Sequence, residues 1–238
     1  FEEKLYLDAG VDAEFLGHPF VDLVRPSLTR KESQKKYSLS PKLKTIGLLP
    51  GSRMNEINSL LNVMVQAAEK IRAELGSCRF LLPVADSIDP DLIRQRLGDN
   101  PLGIQLIEGQ SYDVMNSCDM LIIASGSATL EAGIIGCPMV IIYKLNPLTY
   151  FLAKLLVNAP LVGLVNIVAE EEVVPELIQN QVTAENISAE VLAVLRAPEK
   201  EKAIRDRLLK IKNTLGKPGV MKVVAKRISV FMDRLSAN

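Results

Sequence analysis

The chain has 238 residues, 48% of them hydrophobic and 24% charged, and a mean hydropathy of +0.17, enough apolar material for the core of one large domain or two small ones. Lys plus Arg and Asp plus Glu both number 28, so no overall field recruits nucleic acid or an anionic surface, and any basic site must be local. Three widely spaced cysteines, Cys78, Cys118 and Cys137, argue against a disulfide framework or a zinc site and fit reduced thiols in the cytosol, and no apolar run approaches the ~20 residues of a membrane helix.

The sequence opens without methionine, inside a helical pattern over residues 2–9 that Gly10 ends, and its acidic start lacks the basic and apolar regions of a signal peptide. Residues 1–25 are therefore expected to be the end of a truncated domain, and the chain a fragment. His18, the only histidine, stands between Gly17 and Pro19, a setting more typical of a structural hinge than of a base. Residues 26–42 are polar, carry Pro26 and Pro41 and show little periodicity, and are expected to form a linker.

From residue 43 to 215, short β-branched or leucine-rich runs at 45–49, 79–84, 104–107, 120–124 and 139–143 alternate with helical periods. Between the first two, Ile57, Leu60, Leu61, Met64, Ala68, Ile71 and Leu75 repeat at helical spacing before Gly76, which predicts a βαβ crossover. The runs 120–124 and 139–142 are apolar without alternation, as in central strands covered on both faces. The expected fold is α/β, an open Rossmann-like parallel sheet with helices on both faces. Gly216, Pro218 and Gly219 break the pattern, and residues 216–238 are expected to form a separate amphipathic helix that needs a surface to cover.

Two strand-to-helix turns carry candidate chemistry. In the first, Gly51 and Ser52 precede a long helix whose free N–H groups and dipole favour an anion. Arg53 there is unfavourable unless an anion sits nearby. The plainer alternative is that Ser52 merely caps the helix while Arg53 points into solvent or pairs with Glu56. In the second turn, Ser125, Gly126 and Ser127 are small enough to let a ligand reach the backbone, the two serines can donate to phosphate, and Glu131 can accept from a ribose diol or merely stabilise its helix.

Both turns lie at carboxyl ends of predicted parallel strands, where open α/β sheets bind ligands. Asn166 stands in an apolar stretch, and residues 174–179 are expected to open a helix with Pro175 near its start. Asp89 before Pro90 is taken as a helix cap rather than as half of a metal-binding pair, and the apolar segment 147–157, interrupted by Lys154, as a buried, dimer-facing or membrane-touching helix.

Taken in order, FLGHPFVD (15–22), LPGSR (49–53) with Glu56 and Ile57, ASGSATLE (124–131), VIIYK (140–144), LVNI (164–167) and VPELIQ (174–179) resemble the lipid A disaccharide synthases. The resemblance implies a GT-B fold, in which two Rossmann-like domains face each other and the C-terminal one binds a UDP-sugar. It implies transfer of 2,3-diacylglucosamine from UDP-2,3-diacylglucosamine to 2,3-diacylglucosamine 1-phosphate, with no cofactor and no metal.

By the same analogy Gly51, Ser52 and Arg53 hold the diphosphate, Ser125, Gly126 and Ser127 line the same pocket, Glu131 meets the ribose and Asn166 approaches the nucleotide or sugar, with Gln179 and Glu176 as weaker carry-overs. Ser127 stands where the family usually has threonine. The general base is expected in the missing N-terminal domain, so the isolated chain is expected to be inactive. The resemblance also implies a cytoplasmic protein at the inner face of the inner membrane of a Gram-negative bacterium, and the unpartnered last helix suggests a homodimer. The competing readings are a UDP-N-acetylglucosamine 2-epimerase or a peptidoglycan-type transferase on the same fold, and a non-catalytic UDP-binding module.

Overall fold

The computed structural model describes residues 2–145 and 161–236, so the apolar segment 147–157 lies outside the described residues. Six parallel strands form one sheet in the order β3-β2-β1-β4-β5-β6, with β1 at Lys44–Leu49, β2 at Cys78–Val84, β3 at Gln105–Glu108, β4 at Met120–Ala124, β5 at Met139–Tyr143 and β6 at Glu176–Ile178. Every residue of β4 is buried, and so are the first four of β5, which accounts for their unbroken apolar sequence.

Helices cover both faces. Helix α4 (Met54–Leu75) buries Ile57, Leu60, Leu61, Met64, Ala68 and Ile71, the stripe expected from the spacing, and packs against α9 (Ala184–Leu195). On the other side α6 (Ser111–Ser117) lies on β1, β2 and β3 and touches α7 (Ser127–Ile135), which lies on β4. Helix α5 (Pro90–Leu97) starts at Asp89, whose carboxylate accepts from the Asp91 N–H at 2.9 Å, so the cap reading of that pair holds.

Chain order runs outward from β1 to β3 and then restarts at β4 and runs the other way. The switch point therefore falls between β1 and β4, where two neighbouring strand ends diverge and leave a crevice.

Two expectations about local structure change. Residues 174–179 do not open a helix: β6 pairs with β5 from Ile141↔Glu176 to Tyr143↔Ile178, and the Ile141 N–H donates to the Pro175 carbonyl at 2.9 Å. Three residues are too few to show a strand period, and the ladder overrides the helix-start signal of Pro175. The polar segment 26–42 contains a helix, α3 (Arg30–Lys36), begun by a reciprocal cap between Thr29 and Glu32. Asp113 on α6 holds the preceding turn, accepting from Ser27 Oγ at 2.6 Å and the Leu28 N–H at 3.0 Å.

The two ends of the chain meet. Helix α1 (Glu2–Asp8) is followed by a segment without regular secondary structure and by the short helix α2 (Phe20–Leu23). The His18 N–H donates to the Leu215 carbonyl at 2.8 Å, and the Asp22 carboxylate accepts from the N–H groups of Gly219 and Met221 at 2.7 and 3.0 Å. The two bonds to Asp22 start the last helix, α11 (Val220–Ser236), which follows α10 (Pro198–Thr214). Met221, Val223, Ile228, Phe231 and Met232 of α11 are exposed, as are Leu5, Tyr6 and Leu7 of α1. No helix among the described residues is long and apolar enough to cross a membrane.

Candidate functional site

The two turns singled out in the sequence meet in one cleft of ≈ 590 Å³ at the switch point, lined by Gly51, Ser52, Arg53 and Glu56 from the β1 side and by Ser125, Gly126, Ser127 and Glu131 from the β4 side. Register brings them together: Leu49, the last residue of β1, is paired with Ile123, one short of the end of β4.

The two turns use their backbone donors differently. At the start of α4 the Glu56 carboxylate folds back over the turn, its Oε2 accepting from the N–H groups of Ser52 and Arg53 at 3.0 and 3.3 Å and its Oε1 from Arg53 Nη1 at 3.1 Å. Ser87 Oγ holds the turn from the other side by donating to the Ser52 carbonyl at 2.9 Å. Gly51 is required here on two counts. Its φ of +114° suits glycine, and a Cβ on it would overlap Glu56 Oε2 and lie 2.8 Å from the Glu56 Cβ.

At the start of α7, by contrast, no side chain caps the helix, and no atom lies within 4 Å of where a Gly126 Cβ would stand. Thr129 turns its hydroxyl and N–H back onto the Gly126 carbonyl, at 2.8 and 3.1 Å. The first turn of α7, with its positive dipole end, therefore faces the cleft with room for an anion. Ser127 is exposed, whereas Ser125 Oγ donates to the Val162 carbonyl at 3.1 Å. Ser127 is thus the freer hydroxyl of the pair.

Glu131 lies at a junction. It lines the main cleft and also an adjoining cavity of ≈ 400 Å³ bounded by Arg25, Ala85, Gly109, Gln110 and Tyr112. Burial pushes its carboxyl above the ordinary glutamate range, and burial, helped by the Glu131 charge, raises the Tyr112 phenol. A carboxylate so placed is ready to accept hydrogen bonds from hydroxyls of a ligand that spans both cavities.

Asn166 does not open on the cleft. It is fully buried on α8 (Leu164–Ala169), where its Nδ2 donates to the Val174 carbonyl and to Glu176 Oε1 at 2.8 and 2.7 Å, and its Oδ1 accepts from the N–H groups of Val173 and Val174 at 2.9 and 3.1 Å. Glu176 in turn accepts from the N–H groups of Val162 and Gly163 at 2.7 and 2.9 Å. The network reaches the cleft through the Val162 carbonyl that holds Ser125. Gln179, at φ +53°, exchanges hydrogen bonds with the backbone of Leu145 at 3.0 and 3.3 Å and so pins the exit of β5.

His18 lines neither cavity. Its Nδ1 accepts from the Phe20 N–H at 3.1 Å, which puts the proton of the neutral ring on Nε2, and partial burial holds its pKa below the usual value. Sequence reasoning missed Pro83 and Ala85 at the end of β2 and Ser111 and Met115 of α6, all of which line the cleft. Their signal is positional: β2 is the neighbour of β1, so its carboxyl end belongs to the same crevice. Among the described residues no group of three His, Cys, Asp or Glu side chains is placed to hold a metal ion, and the three cysteines are free and buried.

Comparison with known proteins places these features in a lineage. The family profile described as lipid-A-disaccharide synthetase matches residues 1–223. The chain is 40% identical to a lipid-A-disaccharide synthase of Syntrophus aciditrophicus over 220 residues, 92% of this chain and 57% of the relative. It is 39% identical to the synthase of Nitrosococcus oceani over 233 residues, 98% of this chain and 60% of the relative. Among solved structures, the UDP-GlcNAc 2-epimerase from Neisseria meningitidis bound to UDP-GlcNAc shares the fold, with a TM-score of 0.66, 14% identity and coverage of 95% of this chain and 58% of that one. The chain thus spans about three fifths of the curated relatives it matches, and with its profile match, its identities and its doubly wound parallel sheet it belongs to the lipid-A-disaccharide synthetase family.

Proposed function

We propose that the cleft binds the UDP portion of a sugar nucleotide, and that the protein of which this chain forms the donor-side part transfers 2,3-diacylglucosamine from UDP-2,3-diacylglucosamine to 2,3-diacylglucosamine 1-phosphate. The observation that carries the reading is the convergence at one switch point of an uncapped helix N-terminus, an arginine and a half-buried glutamate. The diphosphate rests on the first turn of α7, with Ser127 and the backbone of Gly126 beside it and Arg53 facing it from the β1 side. Glu131 accepts from the ribose, and the base enters the adjoining cavity beside Gly109 and Gln110. Gly51 and Ser52 shape the β1 side, while Asn166, Glu176 and Gln179 support the walls without touching the ligand.

When the glycosidic bond to the diphosphate breaks, negative charge grows on the leaving oxygen. Preorganised donors aimed there contribute about 3 kcal/mol each in comparable sites, so α7 and Arg53 do the work that a divalent metal does elsewhere, and the reaction needs neither metal nor cofactor. The base that deprotonates the acceptor hydroxyl is assigned to the remainder of the protein. Residues 43–215 are taken as the donor domain, with 216–238 crossing back toward the segment 1–25.

Because donor and acceptor would both carry acyl chains, we assign the reaction to a membrane surface and, from the family resemblance, to its cytoplasmic face. The apolar side chains that α1 and α11 expose are where we place contacts to the rest of the protein and to a second copy. Sedimentation that shows only monomer counts against the dimer.

Calorimetric titration with UDP in EDTA tests the reading. Binding that weakens in Arg53→Ala and in Glu131→Ala supports it, and absence of binding in the wild type refutes it for this chain.

A further inference from the structure

The cleft already contains an anion of its own. We propose that Glu56 is a resident counter-anion, and that donor binding is an exchange in which the incoming diphosphate takes Arg53 from Glu56. This rests on the diphosphate reading above and adds to it a residue that sets affinity for the charged part of the ligand.

Four observations lead there. First, an arginine that begins a helix faces the positive end of the dipole, and some anion must offset it; in this structure that anion is Glu56, whose Oε1 takes Arg53 Nη1 at 3.1 Å. Second, Glu56 does more than cap α4, since its other oxygen spans the N–H groups of both Ser52 and Arg53, a grip like that of a bound phosphate oxygen. Third, Gly51 is packed so closely against the Glu56 side chain that a Cβ there would overlap it, so the turn keeps the carboxylate in that place.

The fourth observation is charge balance. Among the described residues that line the cleft, Arg53 is the one cation, against the carboxylates of Glu56 and Glu131. While Glu56 neutralises Arg53, the β1 side offers an approaching diphosphate no net positive charge, and the attraction is left to the first turn of α7 against the charge of Glu131. The Arg53 side chain is 80% exposed, and such pairs are among the weakest ion pairs to break. Arg53 can therefore swing to the ligand at little cost, while Glu56 keeps the two backbone donors and holds the turn.

The exchange is tested by titrating the 238-residue chain with UDP and with uridine in wild type, Glu56→Gln, Arg53→Ala and the double variant. The glutamine of Glu56→Gln retains the size of the side chain and a carbonyl for the Ser52 and Arg53 amides but carries no charge. The expected result is UDP binding tighter by up to about fivefold in Glu56→Gln, the size of an exposed ion pair that no longer has to be broken, with uridine affinity unchanged. In the Arg53→Ala background the gain disappears, because there is no longer a cation to release.

Unchanged or weaker UDP binding in Glu56→Gln overturns the proposal and leaves Glu56 as a cap. A gain that persists in full without Arg53 overturns the exchange as well. If neither wild type nor any variant binds UDP, the donor-site reading fails first and the exchange with it. A Glu56→Ala variant, melted in parallel, guards against a fold artefact: its preference for UDP over uridine must rise in the same direction even if its stability falls.

Discussion

Replacing Asn166 by alanine removes four hydrogen bonds at once from a side chain with no exposed surface. The N–H groups of Val173 and Val174, both buried residues, lose their acceptor, and the Val174 carbonyl and Glu176 lose a donor. A buried polar group left unpaired costs about 1–3 kcal/mol, and with two amides stranded and some relaxation in α8 the loss should come to about 3–5 kcal/mol, a large share of the ~5–15 kcal/mol typical of a domain. Urea unfolding followed by circular dichroism measures it, and an unchanged slope would show that the compactness of neither state has moved. Asn166→Asp is a second probe, since it keeps the acceptor for both amides but sets a second carboxylate against Glu176, and it should be destabilised at neutral pH and recover in acid. Above its threshold of stability, Asn166→Ala should retain UDP affinity within a few-fold. A loss below about 1 kcal/mol together with a loss of UDP affinity beyond about tenfold would refute the reasoning and return Asn166 to direct contact with the ligand.

Arg53→Ala is expected to weaken UDP binding by on the order of tenfold while leaving the melting temperature unchanged, because the removed side chain is 80% exposed; calorimetry and a thermal melt read the two effects separately. Glu131→Gln tests the raised carboxyl. A native pKa above the unfolded one disfavours the ionised folded state, so the wild type is penalised increasingly as pH rises past the unfolded value, and the glutamine variant should have the higher urea midpoint at about pH 7, with the difference vanishing in acid. Asp22 has the opposite sign: hydrogen bonds from Gly219 and Met221 hold its pKa down, so its contribution is complete above the unfolded carboxylate range and is lost as pH falls through the lower native value. Asp22→Asn should speed hydrogen exchange at the start of α11 and leave the sheet amides untouched.

Strand positions in the centre of the sheet were legible because a strand covered on both faces needs an unbroken apolar run, and 120–124 and 139–143 match β4 and β5 to the residue. The α4 stripe was legible for the same reason at helical period. At the site, the Gly51–Arg53 and Ser125–Ser127 turns could be placed together because parallel strands deliver their carboxyl ends to one edge. What the sequence could not reveal depends on partners far away in the chain. Asn166 looks like a polar residue available to a ligand, but Val173, Val174 and Glu176 consume it. Residues 176–178 look like a helix start until β5 offers them a ladder. The polar segment 26–42 carries too little periodicity to show α3, whose cap is local but whose seat on α6 is tertiary. Of the readings offered for Arg53, the pairing with Glu56 is the one this structure holds; the contact to a ligand anion belongs to the proposed exchange.

The joint between the chain ends has a consequence for the order of folding. Asp22 and Gly219 are 197 residues apart, whereas the β1–β2 pairing joins residues such as Lys44 and Cys78 through one crossover. Closing so wide a loop in an unfolded chain is entropically costly for three hydrogen bonds, whereas a sheet already formed holds the two segments within reach of each other. Residues 15–24 should therefore dock with 215–223 last in folding and detach first in local opening, with the cleft-bearing sheet intact underneath. The assembly sequence thus builds the switch-point crevice before it fixes the direction in which α11 leaves the domain.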